Sequence, residues 1–144
     1  MEVNNKKAYF DYHVERSIEA GIVLKGTEIK SIRGGSVDLK DAYVRIKKNE
    51  AFIINMYIAK YEAGNQFNHD ERRTRKLLLH RKEINKLEEE STRDGFTLIP
   101  LKLYIHKGYA KVLVGVCKSK KLHDKRQVIK ERDLEKEARR SSEY

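Results

Sequence analysis

The chain has one cysteine and one proline in 144 residues. A lone cysteine, Cys117, excludes an intrachain disulfide and suits a reducing compartment. Pro100 has no N–H to give to a sheet, so it marks a strand edge or a bulge. Long apolar runs are missing as well. Nothing approaches the roughly 18 residues of a membrane span, and the opening MEVNNKKAYF carries charge in place of a signal peptide's apolar stretch. A soluble cytoplasmic protein without a membrane partner is expected. There is no Gly-rich phosphate loop and no internal repeat. The histidines, His13, His69, His80, His106 and His123, form no His-x-x-x-His pair, and none stands at zinc-ligand spacing from Cys117. No metal and no cofactor is expected.

Positive charge is plentiful. Lys and Arg number 32 against 22 Asp and Glu, a formal net charge of +10. Such a field draws polyanions and speeds encounter with them. The excess continues into the last stretch, KSKKLHDKRQVIKERDLEKEARRSSEY, whose only sizeable aliphatics are Leu122, Val128, Ile129 and Leu134. Ordering a backbone costs about 1–2 kcal/mol per residue, which four scattered aliphatics do not repay, so disorder is expected in the free protein. On a helix, Lys121, Lys125, Arg132 and Lys136 would share one stripe, with Asp124, Glu131 and Glu135 beside it. That pattern predicts folding against an acidic surface, nucleic acid first among them. The expected organisation is a folded domain over 1–117 and a basic tail over 118–144.

Within the domain, Phe10, Tyr12 and Val14 alternate with Asp11, His13 and Glu15, the period of a half-buried strand. A short apolar run, Gly21–Leu24, follows. Thr27 is expected to cap a short helix carrying Ile29 and Ile32, stopped by Gly34-Gly35. Ala42–Lys47 and Ala51–Ile58 predict two strands, and Glu62–Thr74 an exposed loop. Arg81–Arg93 predicts a helix with Ile84 and Leu87 inward, ending at Gly95. Phe96–His106 and Tyr109–Val116 predict a hairpin around Lys107-Gly108. The fold class is mainly β: an OB-like antiparallel barrel of about six strands with short inserted helices.

Two kinds of chemistry compete. Glu28-Ile29-Lys30 with an upstream Asp11 has the composition of a metal-dependent nuclease, in which carboxylates hold Mg²⁺ and a lysine stabilises developing charge. On a helix, however, Glu28 and Lys30 would diverge by about 200°, and Glu-x-Lys arises easily by chance in so charged a chain. The nucleic-acid features are denser. Arg72, Arg73, Arg75 and Lys76 cluster at the end of the long loop, with His69 before them, able to stack on a base or reach a phosphate. Asn5, Lys6, Lys7 and Tyr9 make a second polar-aromatic patch. Base stacking with phosphate neutralisation is how small β-barrels hold RNA. A generic ribosomal or DNA-binding structural protein is a third reading.

Four segments, Glu19-Ala20-Gly21-Ile22, Gly26-Thr27-Glu28-Ile29-Lys30-Ser31, Arg75-Lys76-Leu77-Leu78-Leu79 and Lys120-Lys121-Leu122-His123-Asp124-Lys125-Arg126, stand in order and spacing as in bacterial small protein B. The chain resembles this family, also called SsrA-binding protein, from about Asn5 to Arg140. The resemblance implies a monomeric, non-enzymatic partner of transfer-messenger RNA in trans-translation. An OB-like barrel would bind the tRNA-like part of that RNA, delivered together with elongation factor Tu. The tail would become helical in the empty mRNA channel of a stalled ribosome, beyond the decoding centre.

By the same resemblance, Asn5 and Glu28 fall on the RNA-binding face, and Glu28 would accept from base or 2′-hydroxyl donors. The implied RNA-binding set is Asn5, Lys6, Lys7, Tyr9, Glu28, Lys30, His69, Arg72, Arg75 and Lys76. The implied ribosome-contacting set is Lys118, Lys120, Lys121, His123, Asp124, Lys125, Arg126, Lys130, Arg132 and Lys136, with His123 stacking on small-subunit ribosomal RNA. Ser119 and Arg73 depart from the family pattern, replacing a usual glycine and a common proline.

Overall fold

Tyr12–Ile22 forms strand β2, an 11-residue run in which inward and outward side chains alternate. It starts later than the Phe10 alternation predicted. Asn5 accepts a hydrogen bond from the Ala8 amide and caps a short helix, α1, over Lys6–Asp11. Phe10 therefore lies on a helix, 74% exposed, and its place in the period-two pattern is coincidental. Ahead of it, strand β1 (Glu2–Asn4) pairs with the long strand β8 (Phe96–His106). The computed structural model describes residues 2–61 and 68–120.

Helix α2 occupies Gly26–Arg33, where a short helix is expected, but its cap is not Thr27. Lys25 is the N-cap residue, and the Glu28 side chain accepts from the Lys25 amide at 2.7 Å, half of a capping box. Gly34 and Gly35 end the helix, Gly35 at φ +80. Strands β4 (Tyr43–Lys47) and β5 (Glu50–Ile54) form a hairpin through Lys48 and Asn49, both at positive φ, as a primed turn requires. The single strand expected over Ala51–Ile58 breaks at Asn55, φ 65. Its second part, β6 (Tyr57–Ile58), leaves to pair with β3 (Val37–Asp38).

Arg75–Leu78 is strand β7, and helix α3 runs over Arg81–Ser91, stopping two residues short of Arg93. The chain then turns through Gly95, φ +83, into β8. β8 and β9 (Tyr109–Ser119) make the expected hairpin around Lys107 and Gly108, both at positive φ. A register shift falls between Pro100 and Lys102, the bulge that Pro100 foretells. The strand continues past residue 117 to Ser119, whose amide donates to the Gly95 carbonyl at 3.4 Å.

The sheet order is β1-β8-β4-β5-β7-β2-β9, and β9 pairs back onto β8. All these pairings are antiparallel, so β8, β4, β5, β7, β2 and β9 close into a ring of six strands with β1 appended. The OB-like barrel is present. Ile53, Leu77, Leu98, Leu103, Val112, Val114 and Val116 fill its interior. Ala8, Ile99, Leu101 and Cys117 form a second apolar cluster that seats α1. Among the described residues no helix is long and apolar enough to cross a membrane. The expected tail residues from Lys121 onward lie outside the described residues.

Candidate nucleic-acid interface

The first turn of α2 carries Glu28 into the protein, where its side chain has no exposed surface. Oε1 accepts from the Lys25 amide at 2.7 Å and from Arg73 Nη2 at 2.6 Å. Oε2 accepts from Arg75 Nε at 2.5 Å and Arg73 Nε at 3.3 Å. Burial alone would raise this carboxyl's pKa. The hydrogen bonds from Arg73, the Lys25 amide and Arg75 outweigh that and hold it below the ordinary range. Arg75 is equally buried, and burial lowers its pKa although Glu28 opposes the shift. It remains a cation, as guanidinium groups do. Arg75 also donates to the carbonyls of Met56 (2.7 Å), Glu71 (3.2 Å) and Asp70 (3.4 Å). One guanidinium thus ties α2, the β5–β6 turn and the segment before β7 into one body.

His69 adds a second tie. It is 1% exposed, its Nε2 lies 2.9 Å from the Ile58 carbonyl, and its Nδ1 lies 2.9 Å from Thr27 Oγ1. A carbonyl only accepts, so Nε2 carries a proton. In the neutral ring, Nδ1 then accepts from the Thr27 hydroxyl. The stacking or phosphate contact expected of His69 is corrected: the ring is enclosed between α2 and β6. Asn5 is enclosed too, its Nδ2 donating to Pro100 O at 2.9 Å and Leu39 O at 3.2 Å. The direct contacts expected of Asn5, Glu28, His69 and Arg75 have no exposed side chain to make them, because each is spent on internal partners.

Other residues of the expected set do face outward. Arg72 is exposed, with its guanidinium carbon 5.4 Å from the Tyr57 ring centroid and Nη1 bonded to Asn55 O at 3.1 Å. Lys30 is exposed on α2, its Nζ 5.4 Å from the Tyr61 ring. Two cations over two tyrosines, on segments held by Arg75, offer phosphates a charge and bases a stacking plane. On α1, Lys6, Lys7 and Tyr9 are exposed, and Lys120 Nζ donates to the Tyr9 carbonyl at 3.4 Å. Lys118 lies over Phe96, Nζ 5.7 Å from the ring.

Lys76 points outward from β7, 2.5 Å from Glu50. Two residues on, Leu78 also points outward and is 53% exposed. Gly21 lies opposite Leu78 in the register, and Lys111 lies opposite Gly21 on the next strand. A Cβ on Gly21 would meet Leu78 Cβ at 3.2 Å, so the glycine lets the leucine lie across β2. An open groove of about 350 Å³ runs between Leu78, Glu19, His80 and Lys111. Tyr104 donates its hydroxyl to Glu19 at the same edge. An exposed apolar side chain beside Lys111 and the Glu19 and Glu83 carboxylates has the chemistry of a docking surface, and it lies outside the expected set. The signal lay in Leu77-Leu78-Leu79. On a strand, if Leu77 is inside, Leu78 must be outside.

The nuclease constellation does not assemble. Asp11 ends α1, whereas Glu28 is held by two guanidinium groups, and Lys30 faces Tyr61. Among the described residues no group of three His, Cys, Asp or Glu side chains could hold a metal.

The family model for the SmpB protein matches residues 2–144. The chain belongs to the SmpB family. An SsrA-binding protein of Geobacillus sp. strain WCH70 is 58% identical over 95% of this chain and 88% of its own length. That of Staphylococcus haemolyticus strain JCSC1435 matches to the same extent, and that of Listeria monocytogenes serotype 4b is 54% identical over 98% of this chain and 92% of its own. A solved chain described as "tmRNA-SmpB: a journey to the center of the bacterial ribosome" superposes with a TM-score of 0.75. It is 44% identical, with 98% of this chain and 96% of that chain covered. The SmpB-family fold described above, a six-stranded ring with short helices, is thus shared with that solved chain over 98% of this one.

Proposed function

We propose that this chain binds the tRNA-like part of transfer-messenger RNA and brings it to stalled ribosomes for trans-translation. The observation that carries this reading is likeness over the full chain, in sequence and in fold, to SsrA-binding proteins and to a solved SmpB bound up with the ribosome. The barrel supplies the RNA contact. Lys6, Lys7, Tyr9, Lys30, Arg72 and Lys76 meet phosphates and bases, while Asn5, Glu28, His69 and Arg75 hold the surface in shape. The residues beyond Ser119, the last of β9, act later, on the ribosome, with elongation factor Tu in the delivered complex. The protein works by binding and turns nothing over; it acts in the cytoplasm as a monomer.

The test is competition. Transfer-messenger RNA should displace bulk tRNA and duplex DNA from the protein at physiological salt, and RNA that copurifies with it should sequence as transfer-messenger RNA. Equal affinity for bulk tRNA would overturn the reading. Truncation after Ser119 should leave barrel and RNA binding in place and abolish peptide tagging. A truncated protein that still supports tagging would refute the division of labour. Mg²⁺-dependent cleavage of the RNA, lost in Lys30→Ala, would favour the nuclease reading instead.

A further inference from the structure

The outer side of β4, β5 and β7 carries a pattern that the barrel core does not use. Ala51 and Ile53 point inward, so Phe52 and Ile54 of β5 point outward. Both are half-buried, and neither belongs to an apolar core cluster. Strand register puts Arg45 of β4 opposite Phe52 on one side and Lys76 of β7 opposite it on the other. Directly opposed side chains share a face, with Cβ atoms about 5 Å apart. An aromatic ring thus lies between two exposed cations on three adjacent strands. In the next row Tyr43, 41% exposed, stands opposite Ile54.

The charge on this face is one-sided. Arg45, Lys47 and Lys76 stand against one carboxylate, Glu50, which lies opposite Lys47 and 2.5 Å from Lys76 Nζ. An ammonium has three donors, so Lys76 keeps two for a ligand. Among the described residues the side chains of Arg45 and Lys47 have no hydrogen-bond or ion-pair partner. Neighbouring cations repel, and an arriving anion relieves the repulsion. Phosphates supply that anion, and an unpaired base supplies a flat partner for Phe52, as when sheets hold single strands by stacking bases on outward aromatics. An anionic membrane would use the cations alone, since a half-buried ring does not reach acyl chains. The face is also continuous with the Leu78 groove. Leu78 follows Lys76 on the same side of β7, about 7 Å along the strand, so one bound RNA can cover both.

We propose that the outer face of β4, β5 and β7 binds an unpaired stretch of RNA, with a base stacked on Phe52 and the flanking phosphates on Arg45, Lys47 and Lys76. The proposal rests on the RNA-binding reading above and adds to it a stacking residue and phosphate contacts on two strands, β4 and β5, that the reading does not use.

The test titrates the full chain with a short single-stranded oligoadenylate, following backbone amide shifts by NMR and affinity across a range of salt. The amides of Arg45, Phe52 and Lys76 should move saturably. Phe52→Leu keeps an apolar side chain and removes the ring. It should weaken binding at least about five-fold, the lower end of one lost base stack, and Phe52→Tyr should restore it. Arg45→Gln should lower the log–log salt slope by about 0.7, one single-strand phosphate contact. Lys86→Gln, the same loss of charge on α3, should change it less. Thermal midpoints on the same samples show that each variant is folded; if Phe52→Leu is not, the wild-type shifts and Arg45→Gln decide. No shift at these amides, unchanged affinity in folded Phe52→Leu, a loss that Phe52→Tyr does not restore, or equal effects of Arg45→Gln and Lys86→Gln overturns the proposal. So does movement of these amides by anionic vesicles or by self-association in place of the oligonucleotide. Affinities for transfer-messenger RNA and bulk tRNA are measured beside it. If transfer-messenger RNA is preferred but oligoadenylate leaves these amides unmoved, the platform fails alone. If oligoadenylate binding depends on Phe52 but bulk tRNA competes equally, the functional reading fails while the platform stands.

Discussion

Glu28 and Arg75 form an ion pair, Nε to Oε2 at 2.5 Å, in which neither side chain reaches solvent. Removing one member of such a pair strands the other, at a cost of about 3–5 kcal/mol. Glu28→Ala should lower the stability of the barrel by that order in urea unfolding. Glu28→Leu with Arg75→Met should recover only part of it. The carbonyls of Met56, Asp70 and Glu71 would still lack the donor that Arg75 supplies. Full recovery in the double variant would show that those three bonds contribute nothing.

The same pair sets a pH dependence. The Glu28 carboxyl titrates below its ordinary range in the folded protein, since the hydrogen bonds from Arg73, the Lys25 amide and Arg75 overcome the burial that alone would raise it. A depressed folded pKa contributes stability that is complete above the unfolded pKa and is lost as pH falls through the folded one. The stability gap between wild type and Glu28→Gln should therefore be widest near neutrality and close on acidification. A gap that stays constant down to the acid transition would contradict this assignment.

Leu78 tests the groove. Its side chain is 53% exposed, so Leu78→Ala should change stability by no more than about 0.5 kcal/mol. It should nonetheless weaken binding of the tRNA-like RNA, and Lys111→Gln should weaken it with a shallower salt dependence, about 0.7–0.9 less in log–log slope for one lost phosphate contact. Unchanged RNA affinity in both variants would exclude the groove from the interface.

Among the described glycines, Gly115 leaves the least room for a side chain. A Cβ there would meet Leu101 Cδ1 at 2.7 Å, Leu101 Cγ at 2.9 Å and Cys117 Sγ at 3.1 Å. Leu101 is 1% exposed and has nowhere to retreat. Gly115→Ala should cost about 1–3 kcal/mol by overpacking, read as a lower thermal midpoint with cooperative melting retained.

Cys117 lies in the same buried patch, and burial pushes its pKa up to about 11. The thiolate is the reactive form. Alkylating reagents at pH 8 should leave Cys117 unmodified in the native protein and label it fully in denaturant, as intact mass would show.

Much of the barrel could be read in the chain because its cues are local. Lys107-Gly108 between two alternating runs announces a hairpin, Pro100 announces a bulge, and Gly34-Gly35 a helix end. What could not be read depends on partners far along the chain. Asn5, Glu28, His69 and Arg75 have the chemistry of RNA-contacting residues, yet their partners are Pro100, Arg73, Ile58 and Met56. Nothing in a local pattern tells an exposed arginine from one that folds inward around three carbonyls. The α1 helix was hidden for a different reason. Its cap, Asn5, is a polar residue in a polar stretch, and Phe10 continues the strand rhythm by chance.

The ring closes by pairing Tyr12 with Ser119, the first residue of β2 with the last of β9. A chain made from its N-terminus cannot complete that seam until residue 119 has left the ribosome that synthesises it. Before then β2 has two open edges, one of which receives β7 earlier and the other only the final strand. The face built from α2 and the segment before β7 is drawn together by residues up to Arg75, but the wall behind it arrives last. The seam that closes the ring is thus among the last contacts the folding barrel can make.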